Sequence, residues 1–155
     1  MNIDDFIINW EVLAFKSLKV EKLYDIISLR QEIFIVEQDC PYIDADGIDT
    51  KCIHISGYHK KNLIAYSRIM PKGINYKEAS IGRIITKKEY RGFGIGNKLV
   101  SISIDEIYKN YGNQPIRLSG QTYARAFYEK LGFIGQGKEY LEDGIPHISL
   151  VKPSF

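Results

Sequence analysis

Residues Ile81–Val100 read IGRIITKKEYRGFGIGNKLV, and this stretch decides the fold. Ile81 to Thr86 is short, apolar and β-branched, the composition of a buried strand. Lys87 to Gly96 is a loop with three glycines and two bulky aromatics. From about Ile95 onward, Leu99, Val100, Ile102 and Ile107 recur at helical spacing. The order is strand, glycine loop, helix. Gly92, Gly94 and Gly96 are expected to take positive φ and to let the backbone come close to a ligand. The first free amides of the helix then point out of the loop at the positive end of its dipole. That is an anion site, and phosphate is its usual guest.

The loop lacks the Gly-x4-Gly-Lys-Ser/Thr run of a nucleotide-binding P-loop. From Gly92 it reads Gly-Phe-Gly-Ile-Gly-Asn, so the third glycine comes one place early for a dinucleotide fold. What it contains is Arg91-x-x-Gly94-x-Gly96. This resembles the pyrophosphate-binding signature of the GNAT N-acetyltransferases, Gln/Arg-x-x-Gly-x-Gly/Ala. The resemblance implies that Arg91, Gly92, Phe93, Gly94, Ile95, Gly96 and Asn97 hold the pyrophosphate of acetyl-CoA, mostly through backbone amides. A tight glycine turn without a ligand is the competing use of the same residues.

At 155 residues the chain is most simply one domain, 1–155, able to bury a real core. Hydrophobic residues at 45% and charged residues at 26% are globular values. A net charge of +2, with lysines and arginines scattered, gives no reason to expect nucleic acid or an anionic membrane as partner. No apolar run approaches the ~20 residues of a membrane span, and Met1 to Asn9 lacks the basic-then-apolar order of a signal peptide. Cys40 and Cys52 form neither CxxC nor a ligand cluster. The expectation is a soluble cytoplasmic protein with free thiols.

Along the chain, residues 1–8 read as a loose terminus and Trp10–Phe15 as a strand. A helix follows over roughly 20–37 with Leu23, Ile26, Ile27, Ile33 and Phe34 as its apolar stripe. Arg30 and Glu37 fall on that stripe, either snorkelling to water or bordering a cleft. The loop 38–51 is rich in Asp and Gly. Asp44, Asp46 and Asp49 lack the spacing and closing Glu of a calcium loop, so no metal is expected. The loop either shapes a substrate mouth or is solvated. Ile53–His59 and Leu63–Met70 make a hairpin, with His54, Ser56 and Tyr58 on its polar face. Arg83, inside an apolar strand, must be paired or reach a cleft edge. Ile116–Ser119 is a strand, and Thr122 is placed to cap a short helix in which Tyr123, Phe127 and Leu131 share a face. Strands from Phe133 and over Ile145–Val151 flank a turn at Glu142–Gly144.

A second motif supports the first. Ala126-Phe127-Tyr128-Glu129-Lys130-Leu131-Gly132-Phe133 is similar to the late helix of the GNAT family, whose Tyr sits near the CoA sulfur. Val36-Glu37-Gln38 with Cys40-Pro41-Tyr42, and Glu142 to Ile148, resemble the ElaA-like branch. The resemblance covers nearly the whole chain and implies an α+β fold. Its centre would be a single mixed, mostly antiparallel sheet flanked by helices.

Acetyl transfer from a thioester to an amine makes three demands. The carbonyl must be polarised, which the family meets with backbone amides of the strand before the loop, here around Ile84 and Ile85. The leaving thiolate needs a proton, and the resemblance assigns this to Tyr128, a phenol with a reference pKa near ~10. Packing beside Leu131 is the other use of that side chain. The amine must lose a proton, with Glu37, His54 and His147 as candidate bases and a water chain as the route that needs none.

Two functions fit. One is an acetyl-CoA-dependent N-acetyltransferase acting on a small-molecule or peptide amine, with the acidic loop and Glu37 favouring a cationic acceptor. The other is a non-catalytic acyl-CoA-binding or sensing module, which needs neither Tyr128 nor a base. GNAT domains often dimerise, and residues 133–151 would offer strands to a homodimer.

Overall fold

The computed structural model describes residues 1–155. Seven strands form one sheet: β1 (Asn9–Ala14), β2 (Ile53–His59), β3 (Asn62–Met70), β4 (Ala79–Thr86), β5 (Ile116–Gln121), β6 (Ile134–Glu142) and β7 (Ile145–Lys152). The order across the sheet is β1-β2-β3-β4-β5-β7-β6. All neighbours are antiparallel except β4 and β5. Helix α1 (Val20–Arg30) runs on through a wider π turn, Gln31–Glu37. Helix α2 (Ile95–Tyr111) follows the glycine loop, and α3 (Arg125–Lys130) follows β5. No helix is long and apolar enough to cross a membrane.

Each sheet face has its own core. Helix α2 lays Leu99, Val100, Ile104 and Ile107 on one face, against Ile55, Ile64, Ile69, Ile81, Ile116 and Leu118. Side chains of this size each contribute roughly 1.5–3 kcal/mol on full burial. Helix α1 covers the other face with Ile26, Leu29 and Ile33, packed on Tyr58, Leu63, Tyr66 and Ile85. The expected stripe is therefore shifted: Leu29 belongs to it, and Ile27 is exposed.

The face of β2 read as polar is internal. His54, Ser56 and Tyr58 are all buried, and Tyr58 donates to Asp25 of α1 at 3.2 Å. Residues 1–8 are docked, against the expectation of a loose end. Asn2 and Asp5 cap a turn at Ile3–Asp5 reciprocally. The Phe6 ring then packs on His59, Tyr90 and Phe93, with centroids 5.4, 5.5 and 5.3 Å away. Thr122 does not cap α3 by its side chain, and its hydroxyl is buried without a partner. Tyr123 points to solvent, away from the face expected to hold it with Phe127 and Leu131.

The sheet opens in its middle. β4 and β5 pair only at Ala79–Ile116 and Ser80–Arg117. Beyond that the two parallel strands diverge. On its other side β4 pairs with β3 at Gly82–Arg68 and again at Ile85–Tyr66, with a bulge between. Arg83 and Ile84 are thus left without a partner on either side. Arg83 takes φ +53°, an unusual conformation for a non-glycine residue.

Candidate active site

The gap between β4 and β5 is the floor of a cleft of about 670 Å³. Its walls come from the π turn of α1, the 38–46 loop, the start of α3 and the β6–β7 turn. Glu37, Ile84, Ile85, Arg91, Tyr128 and His147 all line it. His54 does not.

At one end lies the glycine loop. Gly94 is the N-cap of α2 with φ +90°, and Gly92 has φ +85°. Each φ is one that a side chain would strain. Gly96 differs from expectation: it is already helical, the second residue of α2, and a Cβ there would sit 3.5 Å from Phe127 and Thr86. The first α2 bond runs from the Lys98 amide to the Gly94 carbonyl at 3.2 Å. The amides of Ile95, Gly96 and Asn97 therefore precede the helical ladder, and no side chain caps them. The Phe93 ring is turned to Phe6, so only its backbone faces the loop's interior.

Arg91 does not hang free. It donates from Nη1 and Nη2 to the two Glu37 oxygens at 2.5 and 2.9 Å, and from Nε to the Thr86 carbonyl at 2.8 Å. This hydrogen-bonded pairing holds the Glu37 carboxyl below the ordinary carboxylate range. Glu37 is correspondingly a poor proton acceptor.

His54 is a buried structural histidine. Its Nε2 lies 2.9 Å from the Asp49 carbonyl, which only accepts, so Nε2 carries the proton. Nδ1 then accepts from the Tyr66 hydroxyl at 2.7 Å. Burial lowers its pKa. With both nitrogens engaged and no wall in the cleft, it is not placed to act on an acceptor.

The acidic loop is neutralised from within. Asp44 takes Arg30 Nε and Arg83 Nε, each at 2.7 Å. Asp49 takes Arg30 and Arg68, each at 2.7 Å, and Asp46 takes Arg68 at 2.8 and 2.5 Å. Arg30 and Arg68 are 2% exposed, so Arg30 neither snorkels nor borders the cleft. The three aspartates bind the loop to the sheet, and their charge is not left over to attract a cationic acceptor.

Tyr128 lies on the α2 side of the gap. Its ring crosses Gly120 of β5 so closely that a Cβ there would sit 2.9 Å away. It is buried, and burial raises its pKa, keeping the phenol protonated at neutral pH. Ile85 is paired with Tyr66 and its side chain sits under α1. Ile84 and Arg83 are the residues whose backbone is unpartnered. His147, on β7, pairs in register with Gln121 of β5 and Tyr140 of β6. Gly120 and Gln121 are neighbours in β5, so their side-chain directions oppose. His147 therefore faces the other side of the gap from Tyr128.

Gly120 and Glu142 line the cleft and Tyr140 stacks on His147 beside it, and the sequence alone does not mark any of the three as a site residue. Alternation offered a signal: Tyr140 and Glu142, two apart, share a strand face, but their register against His147 came only with the fold.

The family profile described as "Acetyltransferase (GNAT) domain" matches residues 51–153. The chain is 38% identical over 145 residues to a UPF0039 protein of Synechocystis, covering 93% of this chain and 94% of that one. It is 36% identical over 147 residues to protein ElaA of Escherichia coli, covering 94% and 96%. The crystal structure of E. coli ElaA superposes with a TM-score of 0.89 at 35% identity, over 94% of this chain and 99% of that one. An acyl-CoA N-acyltransferase from Pseudomonas aeruginosa gives 0.88 at 31%, over 93% and 99%. The mixed seven-stranded sheet split beside a glycine-capped helix, and these likenesses along nearly the whole length, lead to one conclusion: the chain belongs to the GNAT acetyltransferase family.

Proposed function

We propose that the protein is an acetyl-CoA-dependent N-acetyltransferase, passing the acetyl group to a primary amine of a small molecule or peptide by direct attack on the thioester. The observation that carries this reading is the parting of β4 from β5, with Arg83 and Ile84 unpartnered beside it. Backbone amides there can polarise a carbonyl that enters the gap. The uncapped amides of Ile95, Gly96 and Asn97 fit a pyrophosphate. Arg91, partly exposed at the start of the glycine loop, joins them in this reading by exchanging Glu37 for phosphate. Tyr128, protonated and lining the gap, donates to the leaving thiolate. What acetyl-CoA supplies when bound is an activated acyl group; the protein aligns it, polarises it and protonates what leaves.

A cytoplasmic setting goes with this reading, supported by the two free, buried thiols of Cys40 and Cys52. A homodimer through the sheet's edge strand β6, which is largely exposed, is part of the same proposal, and light scattering tests it.

The test is thermal stability with acetyl-CoA, desulfo-CoA and ATP, followed by thiol release with and without amines. A ligand at ~100 times its dissociation constant adds about 2.7 kcal/mol. A shift with both CoA species and none with ATP supports the donor site. Tyr128→Phe is expected to keep that shift and to lose about 100-fold in turnover. Binding without thiol release from any amine would instead favour an acyl-CoA-sensing module.

A further inference from the structure

On the side of the gap away from Tyr128, β5, β6 and β7 present a connected polar wall. His147 Nδ1 is 2.7 Å from the Ile145 carbonyl, an acceptor only, so Nδ1 carries a proton. The neutral ring then turns the Nε2 lone pair toward Glu142 Oε2, 3.2 Å away. That spacing is one that a single proton passed between the two groups can bridge. His147 is buried, while Glu142 is about half exposed and lines the cleft. Tyr140 stacks on the His147 ring, with centroids 6.2 Å apart, and its hydroxyl is hydrogen-bonded to Ser119. The turn that carries Glu142 is tied to the loop after α1 by the Cys40 thiol, which donates to the Asp143 carbonyl at 3.3 Å.

From this geometry we infer that Glu142 and His147 form the proton relay of the acceptor site: Glu142 meets the substrate ammonium and His147 stores its proton. The inference rests on the acetyltransferase reading and deepens it. The acceptor arrives as R–NH3+. One N–H bond breaks, its electron pair stays on nitrogen, and the proton passes to a Glu142 oxygen and on to His147 Nε2. The amine is left neutral, Glu142 is again a carboxylate, and His147 is an imidazolium beside it. Of the other candidate bases, His54 is enclosed by Tyr66 and Asp49 and does not line the cleft, and Glu37 is engaged by Arg91 until phosphate displaces it.

The charged and titratable groups around the pair leave it available. Tyr140 comes from β6 and Asp143 from the turn. Arg117 of β5 has its guanidinium taken by Glu78 at 2.7 and 3.0 Å. Tyr76, from the segment before β4, is close enough to interact with Tyr140 and Glu142 and is held protonated chiefly by burial. No arginine competes for Glu142.

The experiment uses the intact protein with acetyl-CoA and two probe acceptors at high concentration. n-Butylamine has an ammonium pKa like that of lysine, near ~10.4, and must be deprotonated. Hydroxylamine is already neutral at pH 7.5. Thiol release is measured for wild type, Glu142→Gln and His147→Gln, with thermal midpoints as a check on folding. The expected result is about a 100-fold loss of kcat with n-butylamine in both variants, and a clearly smaller loss with hydroxylamine, counted above the thiol it releases from acetyl-CoA without protein. Raising the pH should restore n-butylamine turnover in the variants, as solvent supplies the neutral amine. Equal loss with both acceptors, or no loss with n-butylamine, overturns the relay and leaves the acetyltransferase reading intact. Wild-type turnover of hydroxylamine alone overturns it too. Absence of turnover with either acceptor in wild type defeats the acetyltransferase reading itself.

Discussion

Arg91 of the glycine loop and Glu37 at the end of the π turn that continues α1, 54 residues apart, meet at the cleft as a two-pronged ion pair. Their side chains are 44% and 30% exposed, so solvent screens the pair and it contributes little to stability. Its consequence is competition. The same guanidinium cannot hold Glu37 fully and also grip a pyrophosphate.

Glu37→Gln is therefore expected to tighten desulfo-CoA binding roughly two- to threefold, the scale of a screened surface pair, and Arg91→Ala to weaken it. Titration calorimetry reads both. Weaker binding in Glu37→Gln would mean that the carboxylate positions Arg91 for phosphate and does not compete with it.

Gly96→Asp separates folding from ligand binding. Gly96 is helical and its missing side chain faces an ordinary contact distance to Phe127 and Thr86, so the backbone tolerates the change. An acidic residue in the first turn of a helix is mildly stabilising, by about 0.3–1 kcal/mol. The thermal midpoint should not fall, yet the shift with acetyl-CoA should vanish, because a carboxylate now stands where the anion is to bind. A retained shift removes the glycine loop from the donor site.

Asp44→Asn tests the loop's attachment. Asp44 is 9% exposed and accepts from both Arg30 and Arg83. Removing one partner of a buried pair costs about 3–5 kcal/mol. Arg30 keeps Asp49, so the expectation is the lower end, about 3 kcal/mol, read from urea unfolding. A loss below about 1 kcal/mol would place the loop's hold elsewhere.

His54 predicts a pH dependence. Burial holds its folded pKa below the unfolded value of ~6.5, so the unfolded chain takes up a proton first as pH falls. Its contribution is complete above that value and declines as pH drops from there toward the folded pKa. Asp46 and Asp49 do not titrate in this window. Burial works against their charge, but hydrogen bonds from Arg68 and Arg30 hold both below the ordinary range. The thermal midpoint should fall between pH 7 and pH 5, and His54→Gln, though less stable at pH 7, should flatten the slope. An unchanged slope in the variant assigns the dependence to another group.

Local structure was legible in the residues. The β4–glycine loop–α2 unit, the β2–β3 hairpin and the long first helix ending at Glu37 all appear where periodicity and punctuation put them. So does the need of Arg83 for a partner. These features depend on neighbours two to four residues away, which the sequence displays directly. Which partner each charge would find was not legible. The Arg30–Asp44, Arg91–Glu37 and Glu142–His147 pairs, the docking of Phe6 and the burial of His54 join residues on separate elements. They follow from strand register, the bulge at Arg83–Ile84 and the path of the 38–51 loop. A one-residue slip in register would turn each strand's side chains to the opposite face. The sequence by itself determined a buried strand, a glycine loop and a helix whose first amides stand free. Only the tertiary structure decided that the acidic loop's charge is consumed by three arginines, and that Glu142 stands beside His147 on the cleft wall.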